Sequence, residues 1–252
     1  MKADGQIVLC AGLKSSGSTW LYNAVIQLMQ ASARASGERR RIRPFYAEDV
    51  KGFPLGVRQG DCLIVKTHIP SPALQFLVRF TGGTVFITVR EPRDAIASLM
   101  QRFDHKFDVC LDEVSAGAAA LLILAKSGRH LLLRYESNFT ARRTTLNRLV
   151  THLKVATEWN MLDKIRLNLT PGKVIQKIEA LGRKGIFGRK QDPNSFDPVT
   201  QWHPGHVGDG RTGKYGEILS VAQQRAVLKR LREYCLAFGY SDSPSSIRKK
   251  VG

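Results

Sequence analysis

The sequence predicts a single α/β domain with a central parallel sheet flanked by helices. Short apolar runs rich in β-branched residues alternate with longer segments whose apolar residues recur at helical spacing. A glycine- and serine-rich loop separates the first apolar run from the first helical segment, and this strand-loop-helix order resembles a P-loop that binds phosphate. The length of 252 residues suits one such domain, spanning residues 1–252, with a sizeable core.

Apolar runs predict four buried strands, and helical spacing predicts seven helices. The strands cover residues 6–10, 62–66, 84–89 and 130–135. The helices cover residues 20–33, 73–80, 93–102, 114–127, 144–157, 173–181 and 221–237.

Three remaining segments are predicted to lack regular structure. Residues 34–60 are polar and interrupted by Pro44 and Pro54, so we expect mostly loop there. Residues 182–213 are rich in Gly, Pro, His and basic residues, which predicts a flexible loop. The basic tail, residues 245–252, is expected to be frayed.

The chain is strongly basic. Lys and Arg total 39 against 21 Asp and Glu, which gives a net charge of +18. Nucleic acid, anionic lipid or a polyanionic small ligand would suit that charge, and so would a merely solvated surface. The basic residues are spread out, with short clusters at residues 39–43, 183–190 and 248–250 and no nucleic-acid-binding motif. We therefore expect no sequence-specific nucleic-acid binding.

Composition also excludes other classes of protein. The longest strongly apolar stretch, residues 116–125, is too short for a bilayer span of about 20 residues. The first residues lack a full signal peptide, so we expect a cytoplasmic protein. The four widely separated cysteines predict reduced, buried thiols rather than a metal site or disulfides: Cys10, Cys62, Cys110 and Cys235.

The glycine loop has a phosphate-binding pattern with one substitution. Residues 12–19 read GLKSSGST, whereas a P-loop has Lys where Ser18 stands, and the nearest cation is Lys14. The next strands end in residues 66–68 (KTH) and 90–92 (REP), without the Asp that holds magnesium in P-loop enzymes. This pattern predicts an anionic nucleotide bound without a metal. On the loop alone, an ordinary strand-to-helix turn is the alternative.

Three segments together resemble the cytosolic-type sulfotransferases that use 3′-phosphoadenosine 5′-phosphosulfate (PAPS). Residues 14–20 (KSSGSTW) resemble the K-S-G-T-T-W phosphate loop of that family. Residues 66–70 (KTHIP) resemble its K-T-H-L-P segment, and residues 90–98 (REPRDAIAS) resemble its R-x-P-[KR]-D-x-x-x-S segment. Residues 134–136 (RYE) are similar to its Y-E-D. The resemblance is good over residues 6–140 and only in outline beyond them.

The resemblance implies a PAPS site. Lys14 would neutralise charge on the bridging oxygen as the S–O bond breaks. Arg90 and Ser98 would bind the 3′-phosphate, while Trp20 would pack on the adenine near Tyr135. The implied donor-binding residues are Lys14, Ser15, Ser16, Gly17, Ser18, Thr19, Trp20, Arg90, Ser98, Tyr135, Gly208 and Arg211.

His68 is the candidate general base for an acceptor hydroxyl or amine. A neutral imidazole titrates near the operating pH, and Lys66, two residues earlier on the same strand, faces the same side. The candidate catalytic residues are thus His68, Lys14 and Lys66, and Lys66 would lower the pKa of His68 and stabilise the sulfuryl oxygens. A structural strand-end histidine is the alternative for His68 alone.

Two departures from the family pattern are visible. One residue is inserted after Lys14, so that Ser15 takes the aligned place of the lysine. The late R-K-G segment of the family has its nearest match in residues 206–208 (HVG), which lack both cations. Arg211 or the cluster at residues 183–190 would substitute. Residues 182–213 would then form a lid over the nucleotide, with a mobile surface loop as the alternative.

The acceptor is predicted only as a small molecule or a glycan. Four aromatic residues are candidates to line its pocket or to lie in the core: Phe45, Phe53, Phe103 and Phe107. Two other functions remain open, a P-loop small-molecule kinase or NTPase with a degenerate loop and a non-enzymatic basic module that binds polyanions. Magnesium-dependent nucleotide binding would favour the first, and steep salt dependence without PAPS binding the second.

Overall fold

Five parallel strands form the centre of this computed structural model, which describes residues 5–37, 40–47, 60–188 and 195–240. The strands are β1 Gln6–Gly12, β2 Arg41–Tyr46, β3 Asp61–Thr67, β4 Thr84–Val89 and β5 His130–Arg134. Their order in the sheet is β2-β3-β1-β4-β5, and every neighbouring pair is parallel. The predicted fold class is confirmed.

Helices cover both faces of the sheet. They are α1 Ser18–Ala35, α2 Pro72–Phe80, α3 Pro92–Phe103, α4 Phe107–Ala125, α5 Arg143–Leu153, α6 Trp159–Asn168, α7 Pro171–Arg183, α8 Tyr215–Ile218, α9 Val221–Arg230 and α10 Arg232–Phe238. In the described part of the chain, no helix is long and apolar enough to cross a bilayer.

The central strand β1 contributes to two apolar clusters because successive side chains point to opposite faces of the sheet. Ile7 and Leu9 pack with α3 and α4 on one face. Val8 and Cys10 pack with α1 and α5 on the other. Burial on both faces explains why the strand reads as a continuous apolar run. None of the four cysteines forms a disulfide with another described residue, all four are buried, and burial raises the pKa of the Cys62 thiol to about 12.

The structure corrects the prediction of mostly loop at residues 34–60. Strand β2 lies within that segment and, in the sheet formed by the described residues, pairs with β3 alone as an edge strand. An edge strand tolerates Pro44, which has no N–H to donate to a neighbour. Phe53 and Pro54 fall at residues 48–59, outside the described residues.

The helices also differ from the prediction. Helices α6, Trp159–Asn168, and α8, Tyr215–Ile218, were not predicted, and the segment at residues 221–237 forms two helices, α9 and α10. The break occurs at Leu231, whose φ of −109° and ψ of 21° lie outside the helical range.

The described part of residues 182–213 is anchored at several points. Phe187 and Trp202 are buried, and the Asn23 side chain of α1 donates to the Thr200 carbonyl oxygen at 2.8 Å. The predicted flexibility of this segment stays a prediction. Residues 38–39, 189–194 and 241–252 lie outside the described residues, and with them the predicted frayed tail, the basic cluster at 248–250 and parts of the clusters at 39–43 and 183–190.

Candidate active site

A cleft of about 1010 Å³ opens where the carboxyl ends of β1, β3 and β4 meet. Parallel α/β sheets bind ligands at this edge, where the connections turn to opposite sides. Three segments that the sequence analysis selected separately converge here. The predicted site residues that line the cleft are Lys14, Ser15, Gly17, Ser18, Thr19, Trp20, Lys66, His68, Arg90, Ser98, Tyr135, Gly208 and Arg211.

The glycine loop presents unpaired backbone donors to this cleft. Gly17 precedes α1 with a φ of 81°, and a Cβ there would lie 2.9 Å from the Phe139 ring. Among the described residues, the amides of Ser18 and Thr19 make no hydrogen bond, and the first turn of α1 is closed by Leu21 N donating to Gly17 O at 3.1 Å. Free N–H groups at a helix N-terminus attract anions.

The residue inserted in the loop adopts a left-handed conformation. Ser15 has a φ of 61°, which is uncommon for a residue with a Cβ. Lys14, immediately before it, reaches α4, where its Nζ lies 3.0 Å from Glu113 Oε2. In this structure the loop lysine is therefore held by a carboxylate.

Ser16 is the predicted site residue that does not line the cleft. It is fully buried, and its hydroxyl contacts the Leu13 carbonyl oxygen at 2.5 Å and Thr88 Oγ1 at 2.6 Å. Its amide donates to the same carbonyl oxygen at 3.1 Å. Ser16 thus supports the loop from beneath.

The tautomer of His68 follows from its partners. Nδ1 lies 2.7 Å from the Gly12 carbonyl oxygen, which only accepts, so Nδ1 carries the proton. Nε2 is then the basic nitrogen and lies 3.3 Å from Lys66 Nζ. Lys66 is buried, and its Nζ lies 4.6 Å from the centroid of the Tyr46 ring. This arrangement leaves a neutral imidazole with its proton-accepting nitrogen beside a cation.

Arg90 is a buried cation at the end of β4. It is 3% exposed, and its guanidinium donates to the carbonyl oxygens of Ser15 and Arg211, both at 2.9 Å. The group also lies over the Tyr135 ring, 4.1 Å from its centroid. Within the described residues no carboxylate pairs with Arg90, and its buried Nε has no hydrogen-bond partner. Burying an uncompensated charge is costly.

The late segment is fastened to the start of α3. The buried Asp94 carboxylate accepts from Gly213 N at 2.6 Å and from Tyr215 N at 3.0 Å. The exposed Arg211 guanidinium pairs with Asp209 and Glu217 at 3.0 and 3.1 Å. The backbone carbonyl oxygen of Arg211 therefore accepts from Arg90, while the Arg211 guanidinium forms ion pairs with two carboxylates.

Sequence reasoning assigned no role to further cationic and histidine residues of the cleft. They are Arg102, Arg166, His203, His206 and Lys214. Arg102 Nη2 donates to His203 Nε2 and to the His206 carbonyl oxygen, both at 3.1 Å. Burial, with the charge of Arg102 nearby, lowers the pKa of His203 to about 4. Burial also lowers the pKa of Lys214, whose Nζ donates to Gln101 Oε1 at 3.1 Å.

A signal for Arg102 existed in the sequence. It follows Ser98 by four residues on a predicted helix and therefore shares a face with it. No such signal connected His203 with Arg102, because the contact joins residues 101 positions apart.

Aromatic side chains form the remaining wall near His68. Phe103 lines the cleft with Tyr46 and Phe196, whose ring centroids are 5.6 Å apart. Phe45, Phe103 and Phe107 all pack against an apolar cluster of the core, and Phe45 and Phe107 do not line the cleft. No group of three or more potential metal ligands occurs among the described residues.

Comparison with known proteins relates this fold to solved structures. No protein-family model and no curated protein matches the chain. Mouse sulfotransferase SULT7A1 complexed with PAP is similar, with a TM-score of 0.60 at 14% identity, over 92% of this chain and 84% of that one. The chain has the sulfotransferase fold.

Two other structures with the sulfotransferase fold are similar. Retinol dehydratase in complex with androsterone and the inactive cofactor PAP has a TM-score of 0.57 at 14% identity, over 91% of this chain and 80% of that one. A sulfotransferase domain from the curacin biosynthetic pathway has a TM-score of 0.50 at 12% identity, over 96% and 99%. The predicted P-loop-like fold is thereby confirmed.

Proposed function

We propose that this protein is a sulfotransferase that moves the sulfuryl group of PAPS to an acceptor hydroxyl or amine. The observation that carries the proposal is the buried Arg90 guanidinium, which lacks a carboxylate partner among the described residues and lies beside unpaired loop amides. An anionic ligand compensates a buried cation of this kind. Solved structures with this fold contain PAP, the nucleotide that PAPS leaves after sulfuryl transfer.

The cleft offers separate places for the parts of the nucleotide. The amides from Gly17 to Thr19 and the Thr19 hydroxyl bind the 5′-phosphate at the helix N-terminus. Arg90 and Ser98 bind the 3′-phosphate. Trp20 and Tyr135 flank the adenine, and the buried Trp20 Nε1, which has no partner in the described structure, is available to donate to it.

The transfer itself needs a base and two cations. His68 Nε2 takes the proton of the acceptor hydroxyl while its oxygen forms the new bond to sulfur. The bond between sulfur and the bridging oxygen breaks, and its electron pair stays on the 5′-phosphate. The acceptor hydroxyl replaces Lys66 Nζ beside His68 Nε2, and Lys66 then stabilises the sulfuryl oxygens. Lys14 leaves Glu113 and contacts the bridging oxygen as its bond to sulfur breaks. This contact stabilises the transition state more than the ground state.

No metal enters this scheme, because the cations of the chain neutralise the charge. The acceptor is a small molecule or a glycan that fills the wall formed by Tyr46, Phe103 and Phe196. The retinol dehydratase structures with retinol and androsterone show that this fold accommodates apolar small molecules.

The test is transfer of a radiolabelled sulfuryl group from PAPS to pooled alcohols, phenols, amines and glycans, in EDTA. We expect label in at least one pool with the wild-type protein. His68→Asn, which removes the basic nitrogen but keeps a polar side chain, should transfer none above background. Binding of PAP without transfer to any acceptor would contradict the enzymatic part of the proposal.

A further inference from the structure

Arg102 lines the cleft as Arg90 does, and neither the sequence patterns nor the mechanism above use it. We propose that Arg102, positioned by His203, is a direct ligand of the donor 3′-phosphate together with Arg90. This inference rests on the proposed function, since it assigns a residue to the same nucleotide. It also gives this chain a cation where its late segment, residues 206–208 (HVG), carries none.

The position of Arg102 on α3 is the first argument. Arg102 follows Ser98 by four residues, which places the two side chains one helical turn apart on one face. Both side chains line the cleft. Arg90 lines the same cleft, and burial together with the charge of Arg90 lowers the pKa of the Arg102 guanidinium. A bound anion would compensate two positive charges in one cleft.

The second argument is that Arg102 is not paired. In the described structure no carboxylate contacts it, whereas Arg93 pairs with Glu91 at 2.7 Å and Arg230 with Asp112 at 2.9 Å. The Nε atom of Arg102 is buried without a partner, and no described group bonds its Nη1. A guanidinium with free donors in a cleft matches the oxygen atoms of a phosphate.

The third argument concerns the donors that Arg90 has left. Both of its Nη atoms donate to carbonyl oxygens, those of Ser15 and Arg211. Arg90 thus joins the glycine loop to the late segment, and each of its Nη atoms keeps one further N–H. A second guanidinium adds positive charge and further N–H donors for a phosphate dianion.

His203 holds the Arg102 side chain in place. Nδ1 of His203 lies 2.8 Å from the Pro204 carbonyl oxygen, so Nδ1 carries the proton and Nε2 accepts from Arg102 Nη2. With Nη2 fixed by His203 and by the His206 carbonyl oxygen, the orientation of the planar group is set. His203 is accordingly a positioning residue that acts through Arg102.

The experiment compares the affinities of PAP and 5′-AMP, which lacks the 3′-phosphate, by calorimetric titration of the full chain. Arg102→Gln should weaken PAP at least about tenfold and change 5′-AMP by less than about threefold. Arg79→Gln, an exposed arginine of α2 outside the cleft, removes the same charge and should leave both affinities unchanged. Arg102→Lys, which keeps the charge without the fork, should fall between wild type and Arg102→Gln.

The positioning role of His203 is tested with two variants. His203→Leu removes the acceptor and should weaken PAP selectively, whereas the amide oxygen of His203→Gln restores the contact and the affinity. The double variant Arg102→Gln/His203→Leu should bind PAP no more weakly than Arg102→Gln, because both changes remove one interaction. Additive losses would contradict this coupling.

Unchanged PAP affinity in Arg102→Gln, or equal losses for PAP and 5′-AMP, would overturn the assignment of Arg102. If Arg102→Gln fails to fold, Arg102→Lys decides, since full PAP affinity there would equally refute the need for the fork. A wild-type protein that does not distinguish PAP from 5′-AMP would instead refute the proposed donor site itself. The two failures are therefore distinguishable.

Discussion

Buried positive charge is the property of individual residues that points most directly to a ligand. Arg90 and Arg102 both enter the cleft, and no carboxylate of the described residues pairs with either of them. A structural arginine in the same protein, Arg93, is fully buried but pairs with Glu91. The pairing of Arg93 stabilises the fold, whereas Arg90 and Arg102 are candidates to bind an anionic ligand.

Replacing His68 by Ala should lower kcat by about 10²–10⁴-fold, the usual contribution of a general base. The affinity for PAP should stay within about threefold of wild type, because the proposed mechanism assigns His68 to the acceptor rather than to the nucleotide. Steady-state kinetics and calorimetric titration together check this split. Retained kcat would show that His68 is a structural strand-end histidine.

Replacing Arg90 by Ala should weaken PAP at least about tenfold, since the change removes a buried cation and the link between the Ser15 and Arg211 carbonyl oxygens. Arg90→Lys keeps the charge but cannot span both carbonyls, so it should recover part of the affinity. Equilibrium titration of each folded variant measures the effect. Wild-type affinity in Arg90→Ala would contradict the site.

The sequence predicted the position of candidate residues that follow a strand directly, such as His68 and Arg90, and both line the cleft. Their place is determined locally, because parallel strands end at one edge of the sheet. It did not predict the contact of Arg102 with His203, which depends on how a late segment folds back on α3. Nor did it indicate that Glu113 holds Lys14, since that pair spans 99 positions.

At the scale of elements, the glycine loop depends on close packing beneath it. A Cβ at Gly12 would lie 2.0 Å from Thr88 Oγ1 and 2.7 Å from Ser18 Cβ, so β1 cannot pass β4 here with a larger residue. Gly172 near the start of α7 has no atom within 4 Å of such a Cβ. Gly172 is therefore a suitable control position for a substitution at Gly12.

Gly12→Ala should destabilise the protein by about 2–4 kcal/mol and abolish PAP binding, because the loop must shift. Gly172→Ala should be neutral or stabilising by up to about 1 kcal/mol, since alanine favours the helix. Urea unfolding of both variants measures the difference. Equal stabilities would show that the loop is not packed as described.

Most elements were predictable because their signals are local, and the exceptions have physical causes. Strand β2 carries Pro44 and two arginines and is only partly buried, so it lacks the apolar run of a central strand. Helices α9 and α10 share one continuous apolar pattern, and the break at Leu231 leaves no mark in composition. The spacing of apolar residues shows which face of a helix is buried, but it does not show where the helix axis changes direction.

At the scale of the whole molecule, acid should destabilise the fold through its buried histidines. The pKa of His203 falls from 6.5 to about 4 on folding, and that of His206 falls well below 6.5, chiefly by burial. Below pH 6.5 the unfolded chain then binds more protons than the folded one, so stability decreases as the pH falls towards 4.

Between pH 7 and pH 5, His203 alone should cost about 1–2 kcal/mol of unfolding free energy. His203→Gln, which cannot titrate, should lose that much less stability than wild type over the same interval. Urea unfolding at both pH values measures the two losses. Identical losses would show that His203 titrates alike in the folded and unfolded states.

The net charge of +18 does not by itself choose between a nucleotide and a polyanion, so a binding measurement has to choose. The most direct measurement is calorimetric titration of the wild-type protein with PAP in EDTA, with 5′-AMP as the comparison. The account predicts metal-free binding of PAP at least about tenfold tighter than that of 5′-AMP. Absence of binding, or equal affinity for the two nucleotides, would contradict it.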